Sequence, residues 1–229
     1  MDKVISLFKG EFLGWEKSEL ILFFVSLVVV SCSAILKGDE IIAVIASVFG
    51  IIYTFSAGKG KIYCYFFGII STFLCGIIAL KSAIYGTFAL YFLYYLPMEV
   101  WGIFSWKKHL KDNTNEIIKT KLSQKERIWF MIISASLVII AYLLFDYWHD
   151  LNPLADSLVV VLSVGAMYLT VKRCIEQWGL WTIVNILSIW LWFEVFLSGE
   201  KTFSVFVIRI IYFFLGIYFY FKWRKSVEE

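Results

Sequence analysis

The chain has 229 residues, of which 61% are hydrophobic and 17% charged, with two prolines and a mean hydropathy of +0.80. Soluble domains are about 45–50% apolar and about 25% charged, so this balance excludes a soluble enzyme, a disordered chain and a secreted disulfide scaffold. The net charge of +3 is no nucleic-acid signal, because the basic residues fall between apolar runs, where they orient membrane helices.

The first sixteen residues do not read as a cleavable signal peptide. Asp2, Glu11 and Glu16 accompany Lys3 and Lys9, and no small-residue cleavage site follows a short apolar core. Val4, Ile5, Phe8, Phe12 and Trp15 recur at helical spacing, which predicts an interfacial segment over 1–18.

A helix needs about 20 apolar residues to cross a hydrocarbon core. Eight such stretches follow: 19–36, 41–57, 62–80, 83–106, 128–145, 155–172, 175–197 and 201–222. They are too long and too uniformly apolar for barrel strands, so the predicted fold is an all-α integral membrane protein. Cys32, Cys64, Cys75 and Cys174 lie in or beside apolar runs without CxxC spacing and read as free thiols.

Alternate connections gather basic residues on one side. Lys3, Lys9, Lys17, Lys59, Lys61, Lys107, Lys108, Lys111, Lys119, Lys121, Lys125, Arg127, Lys172, Arg173, Lys222, Arg224 and Lys225 share it, against Lys37, Lys81 and Lys201 opposite. This asymmetry places both termini in the cytoplasm. The longest connection, 107–127, is polar and basic and reads as a cytoplasmic surface loop or short helix.

Polar residues inside spans are costly and mark candidate sites. In the fourth span, Tyr94, Tyr95, Met98 and Trp101 are candidates to line a cavity beside Pro97, which breaks the helical hydrogen-bond ladder. Trp106, followed by Lys107 and Lys108, reads as an interfacial belt residue. Asp156 opens the sixth span as a cap. Glu194 and Arg209 are placed to pair. The seventh span is richest: Trp178, Trp181, Asn185, Ser188 and Trp192 recur every three or four residues, on one helical face. Two readings of that stripe stand. Its indoles and carboxamide suit a flat aromatic ligand, with Gln177 nearby, or they pack against neighbouring helices. No metal-ligand spacing, catalytic triad or phosphate loop is present, so neither a cofactor nor enzymatic activity is expected.

The span count admits an internal parallel duplication. Three spans (41–106), a linker (128–145) and three more (155–222) make a 3+1+3 core, with 19–36 as an additional N-terminal transmembrane helix.

These residues resemble the PnuC family of bacterial vitamin transporters. The resemblance rests on Asp156-Ser157, Leu162-Ser163, Ala166, Lys172-Arg173, Glu176, Trp178, Trp181, Asn185 and Ser188, and in the first half on Tyr85-Gly86, Tyr95, Met98, Gly102 and Trp106. Family members often carry Gln or Asn one turn before the position of Tyr95; this chain reads Tyr91-Phe92-Leu93. The resemblance implies the fold of the sugar transporters called SWEETs, a homotrimer in the bacterial inner membrane, and facilitated diffusion of nicotinamide riboside by alternating access. It also implies a functional link to a cytoplasmic riboside kinase that traps the product. The substrate's cationic ring suits Trp178 and Trp181, and its carboxamide or ribose suits Asn185. A phosphorylated ligand calls for a base in the cavity, and the spans offer Arg209 alone, outside the motifs. Proton coupling would need Glu99 or Asp156. The alternatives are transport of another flat vitamin, such as thiamine or a riboflavin-like compound, and a receptor or scaffold binding a partner through 107–127.

Overall fold

The computed structural model describes residues 15–38, 40–81, 88–111, 114–149, 152–197 and 203–228. The expected segment 1–18 therefore lies largely outside the described residues. So do Tyr85-Gly86, Lys201 and the side chains of Trp192 and Glu194, and with the last the expected pairing with Arg209.

Eight α-helices occur among the described residues: α1 Lys17–Lys37, α2 Ile41–Gly58, α3 Cys64–Lys81, α4 Leu96–Lys107, α5 Gln124–Tyr147, α6 Pro153–Val171, α7 Glu176–Leu197 and α8 Phe203–Glu228. Seven of them overlie expected apolar stretches and α4 the second half of the fourth, 83–106, because in lipid each backbone N–H and C=O must be satisfied within its own segment. α1, α2, α3, α5, α6 and α8 are each long and apolar enough to cross a bilayer. α4 is entered through a π-helical turn, Leu90–Tyr95, in which the Leu96 N–H donates to the Tyr91 carbonyl. Pro97 follows at once. A proline removes one donor from the ladder, and the ladder widens just ahead of it.

The helix starts are chemically marked. Glu16 and Glu19 form a reciprocal capping box on α1, as Ser123 and Glu126 do on α5. α1 stops at Gly38, whose φ of 69° is the left-handed conformation that glycine adopts freely.

α5 carries no buried residue. It packs along α6 and turns Ile128, Trp129, Met131, Ile132 and Ile133 outward. α1 lies against α2 and α8. The remaining six helices form two groups of three, α2–α4 and α6–α8, whose inner ends repeat one another. The Trp106 indole at the end of α4 donates to the Thr170 carbonyl of α6 at 3.0 Å, and the Trp223 indole at the end of α8 donates to the Gly58 carbonyl of α2 at 2.7 Å. Trp106 meets the Tyr65 ring edge-on at 4.9 Å, and Trp223 meets Trp178 edge-on at 5.8 Å. Trp106 is fully buried. The interfacial-belt expectation is corrected: its N–H closes a contact between the two groups of helices.

The described residues of the 107–127 connection are mostly exposed, as a surface loop requires, and 114–123 form a strap tied to the bundle by backbone hydrogen bonds. The Ile117 N–H donates to the Gly60 carbonyl at 2.9 Å, and the Thr120 N–H to the Arg173 carbonyl at 2.9 Å. Ile117 is fully buried between them. The strap thus joins the α2–α3 turn to the α6–α7 turn, which places the basic connections at one end of the molecule. Gly60 and Arg173 hold equivalent places in the two turns, with φ of 70° and 61°.

Of the cysteines, Cys64 and Cys174 are buried, Cys75 is half-buried and Cys32 is exposed on α1; all are free.

Candidate functional site

Between the two groups of helices lies a cavity of ≈ 750 Å³, within the size range of small-molecule sites. Its walls come from α2 (Tyr53, Thr54), α3 (Gly68, Ser71, Thr72), the π turn and α4 (Tyr91, Tyr95, Glu99), α6 (Asp156, Ser163, Met167), α7 and α8 (Arg209, Tyr212, Gly216). α7 contributes Gln177, Trp178, Trp181, Asn185 and Ser188. Neither α1 nor α5 contributes a described residue.

Trp178, Trp181, Asn185 and Ser188 of the α7 stripe therefore face the chamber. Its members are held differently. Trp178 is buried with its ring 5.1 Å from Phe219, so α8 fixes it as wall. The Trp181 indole donates to Thr170 Oγ1 at 3.3 Å, and that hydroxyl donates to the Ala166 carbonyl at 2.9 Å. Trp181 is thus oriented from α6. Asn185 donates through Nδ2 to the Trp181 carbonyl one turn back, at 2.8 Å, which leaves its Oδ1 without a partner among the described residues.

Open polar atoms accumulate here. Glu99 Oε2, Gln177 Nε2, Trp178 Nε1, Asn185 Oδ1 and Arg209 Nε are all buried with no hydrogen-bond partner among the described residues. Each belongs to a residue that lines the cavity. An unpaired buried polar group costs about 1–3 kcal/mol. A cluster of them around one void fits a site that completes its hydrogen bonds with a ligand.

The structure brings Trp178, Trp181, Asn185, Gln177, Ser188 and Tyr95 to one chamber. It does not bring Tyr94, Met98 and Trp101 there, and this corrects the expectation. Tyr95 and Glu99, one turn apart, define the inward face of the fourth span, and these three residues fall on other faces. Tyr94 spends its hydroxyl on the Val164 carbonyl of α6 at 2.7 Å. Met98 packs against the core. Trp101 is 45% exposed and lies 6.5 Å from Tyr168.

The α7 stripe left other lining residues unassigned. Glu99 appeared in the sequence as a possible proton carrier, and Arg209 as a partner for Glu194. Both reach the cavity. The signal that could have found them is that each is an ionisable residue deep in an apolar span. Arg209 also removes the residue argument against a phosphorylated ligand, since the chamber does hold a base.

A chamber with aromatic walls and open polar groups, enclosed by six helices of a multi-pass bundle, is a membrane-embedded small-molecule site, and the family that the chain matches makes it that of a membrane transport protein. A family model described as "Nicotinamide mononucleotide transporter" matches residues 40–225, and the chain belongs to that family. It is 32% identical over 223 residues to the "Nicotinamide riboside transporter PnuC" of Neisseria mucosa, covering 94% of this chain and 84% of that one. It is 27% identical to the protein of the same name from Haemophilus influenzae, with 96% of each covered. A solved structure, "Crystal structure of the Vitamin B3 transporter PnuC", superposes with a TM-score of 0.79 at 30% identity, covering 94% of both chains.

Proposed function

We propose that this protein imports nicotinamide riboside by facilitated diffusion. The observation that carries this is the chamber, where the indoles and carboxamide of α7 face residues of the other helix group across a void of ≈ 750 Å³. A pyridinium ring over an indole face gains about 0.5–2 kcal/mol, and Trp181 is the wall best placed for it. Asn185 Oδ1 and Gln177 Nε2 match the donor and acceptor of a carboxamide. The names of the relatives point to the same cargo.

Transport proceeds by alternating access, with 41–106 and 155–222 as the moving bundles and 128–145 as linker. The repeated contacts of Trp106 and Trp223 support this parallel 3+1+3 plan, with 19–36 as an added helix. The protein sits in the bacterial inner membrane with both termini cytoplasmic, a reading supported by the gathering of basic turns at the strap. It assembles as a homotrimer, for which the outward apolar face of α5 offers a surface. A cytoplasmic riboside kinase traps the product.

A second cargo, the mononucleotide, is favoured by Arg209 in the chamber and by the family's description. Titration of purified protein with the riboside, its mononucleotide and thiamine separates these readings. Tight binding of the riboside alone is expected. Preference for the mononucleotide would replace it as cargo, and binding of none would remove the transport reading.

A further inference from the structure

We infer that Glu99 is the residue through which the chamber selects a positively charged cargo; this rests on the riboside reading above. Glu99 is 3% exposed. Its two oxygens are treated unequally. The Thr72 hydroxyl donates to Oε1 at 2.8 Å, while Oε2 has no partner among the described residues although the residue lines the cavity.

The placement is built, not incidental. Gly68 stands opposite on α3, and a Cβ there would meet Glu99 Oε1 at 2.9 Å and the Tyr53 ring at 2.8 Å. The missing side chain makes room for the carboxyl to reach the chamber beside an aromatic face. The two helix groups differ at this point. Counting back the same distance from the equivalent Trp106 and Trp223, the first group has Glu99 where the second has Gly216. At this pair of positions one wall carries a carboxyl and the other only a glycine; the second group's own ionisable lining residues, Asp156 and Arg209, stand elsewhere on α6 and α8.

A carboxylate in such a place is stabilised by a cation that enters with the cargo. Aromatic walls add to the attraction for a delocalised positive ring. Nicotinamide riboside carries that charge permanently on its pyridinium. Its dihydro form keeps the carboxamide and the ribose but has a neutral ring. Glu99 thus distinguishes the two forms by charge, a task that Asn185 and Gln177 cannot perform.

Calorimetric titration of wild-type and Glu99→Gln protein with both forms tests this. The wild type is expected to prefer the cationic riboside at least about tenfold, the scale of one charged interaction. In Glu99→Gln the preference falls at least about fivefold, mainly through weaker binding of the cation, leaving the part that the indole faces supply. Equal binding of both forms by the wild type overturns the proposal without any variant. So does an unchanged preference in Glu99→Gln. A wild type that binds neither form fails at the earlier step, the cargo itself, and is recognised as such before the variant is compared.

Discussion

The inner ends of the helices and the chamber above them treat polar groups in opposite ways. At the inner ends, five ion pairs among the described residues tie helices and turns together, although Arg173 Nε and the Tyr65 hydroxyl stay open. Glu19, with its side chain fully buried, accepts from Lys59 at 2.9 Å and also from Lys222, which reaches Glu16 at 3.1 Å. Lys59 follows α2 and Lys222 lies on α8, so one carboxylate on α1 ties both helix groups together. Lys61 pairs with Glu116 of the strap at 3.1 Å, and Arg127 with Glu176 at 2.8 Å. In the chamber, by contrast, Glu99, Gln177, Asn185 and Arg209 each keep an atom open. Groups that satisfy one another hold the fold. Groups left unsatisfied around a void await a cargo. Substitutions in the first region should therefore change stability, and those in the second should change binding.

The largest effect is expected at Glu19. Glu19→Ala removes the carboxylate that Lys59 and Lys222 share, leaving Lys222 with Glu16, and should cost about 3 kcal/mol, the lower end of the range for breaking a buried ion pair. Melting in detergent would register this, while riboside affinity in the surviving folded protein stays within about twofold. Asn185→Ala should do the reverse. It weakens riboside binding about 10–100-fold, as loss of one or two buried hydrogen bonds implies, with little change in melting temperature.

Trp223→Phe keeps the ring against Trp178 but removes the bond to the Gly58 carbonyl. The expected cost is about 1 kcal/mol in stability, within the usual net worth of a hydrogen bond plus its stranded acceptor. Trp106→Phe should cost a similar amount through the Thr170 carbonyl. Unequal costs would show that the two contacts are not equivalent. Met98→Ala and Trp101→Ala should leave riboside binding within about twofold, since neither residue lines the chamber. A tenfold loss at either would place that residue in the chamber wall.

The smallest effect concerns pH. Burial lowers Lys119 in the strap to about 8, with Lys111 adding repulsion and Glu116 opposing both. The Lys119 ammonium lies 5.2 Å from the Trp223 ring. The folded-state value lies below the ordinary lysine value of 10.5, so the folded protein releases this proton before the unfolded chain does. The charged form therefore costs stability in full below about pH 8, and the cost is relieved as pH rises toward 10.5. Lys119→Met should flatten that part of the stability–pH curve. An unchanged slope would assign it to other groups.

Much of this arrangement was legible beforehand, and the remainder had physical reasons for being hidden. Helix number and span limits follow from hydropathy, because a bilayer permits few alternatives. The face of α7 followed from residue spacing, since Trp181, Asn185 and Ser188 can only share one side of a regular helix. The fourth span resisted the same treatment. Its inward face is that of Tyr95 and Glu99 rather than that of Tyr94, Met98 and Trp101, because Tyr94 and Trp101 are turned toward α6, a packing that spacing alone does not announce. The strap was hidden because its order comes from distant turns. Ile117 is buried by Gly60 and its neighbours, a contact that no local pattern announces. Trp106 looked interfacial because lysines follow it, yet its partner is a carbonyl on α6.

The central claim is that cargo passes through the chamber between the two helix groups. It is tested most directly by uptake of labelled nicotinamide riboside into proteoliposomes holding equal amounts of wild-type protein and the double variant Trp181→Ala/Asn185→Ala. The account predicts saturable uptake by the wild type and a fall of at least about tenfold in the variant, the scale of the lost contacts. Saturable uptake at equal rates by both proteins would contradict it.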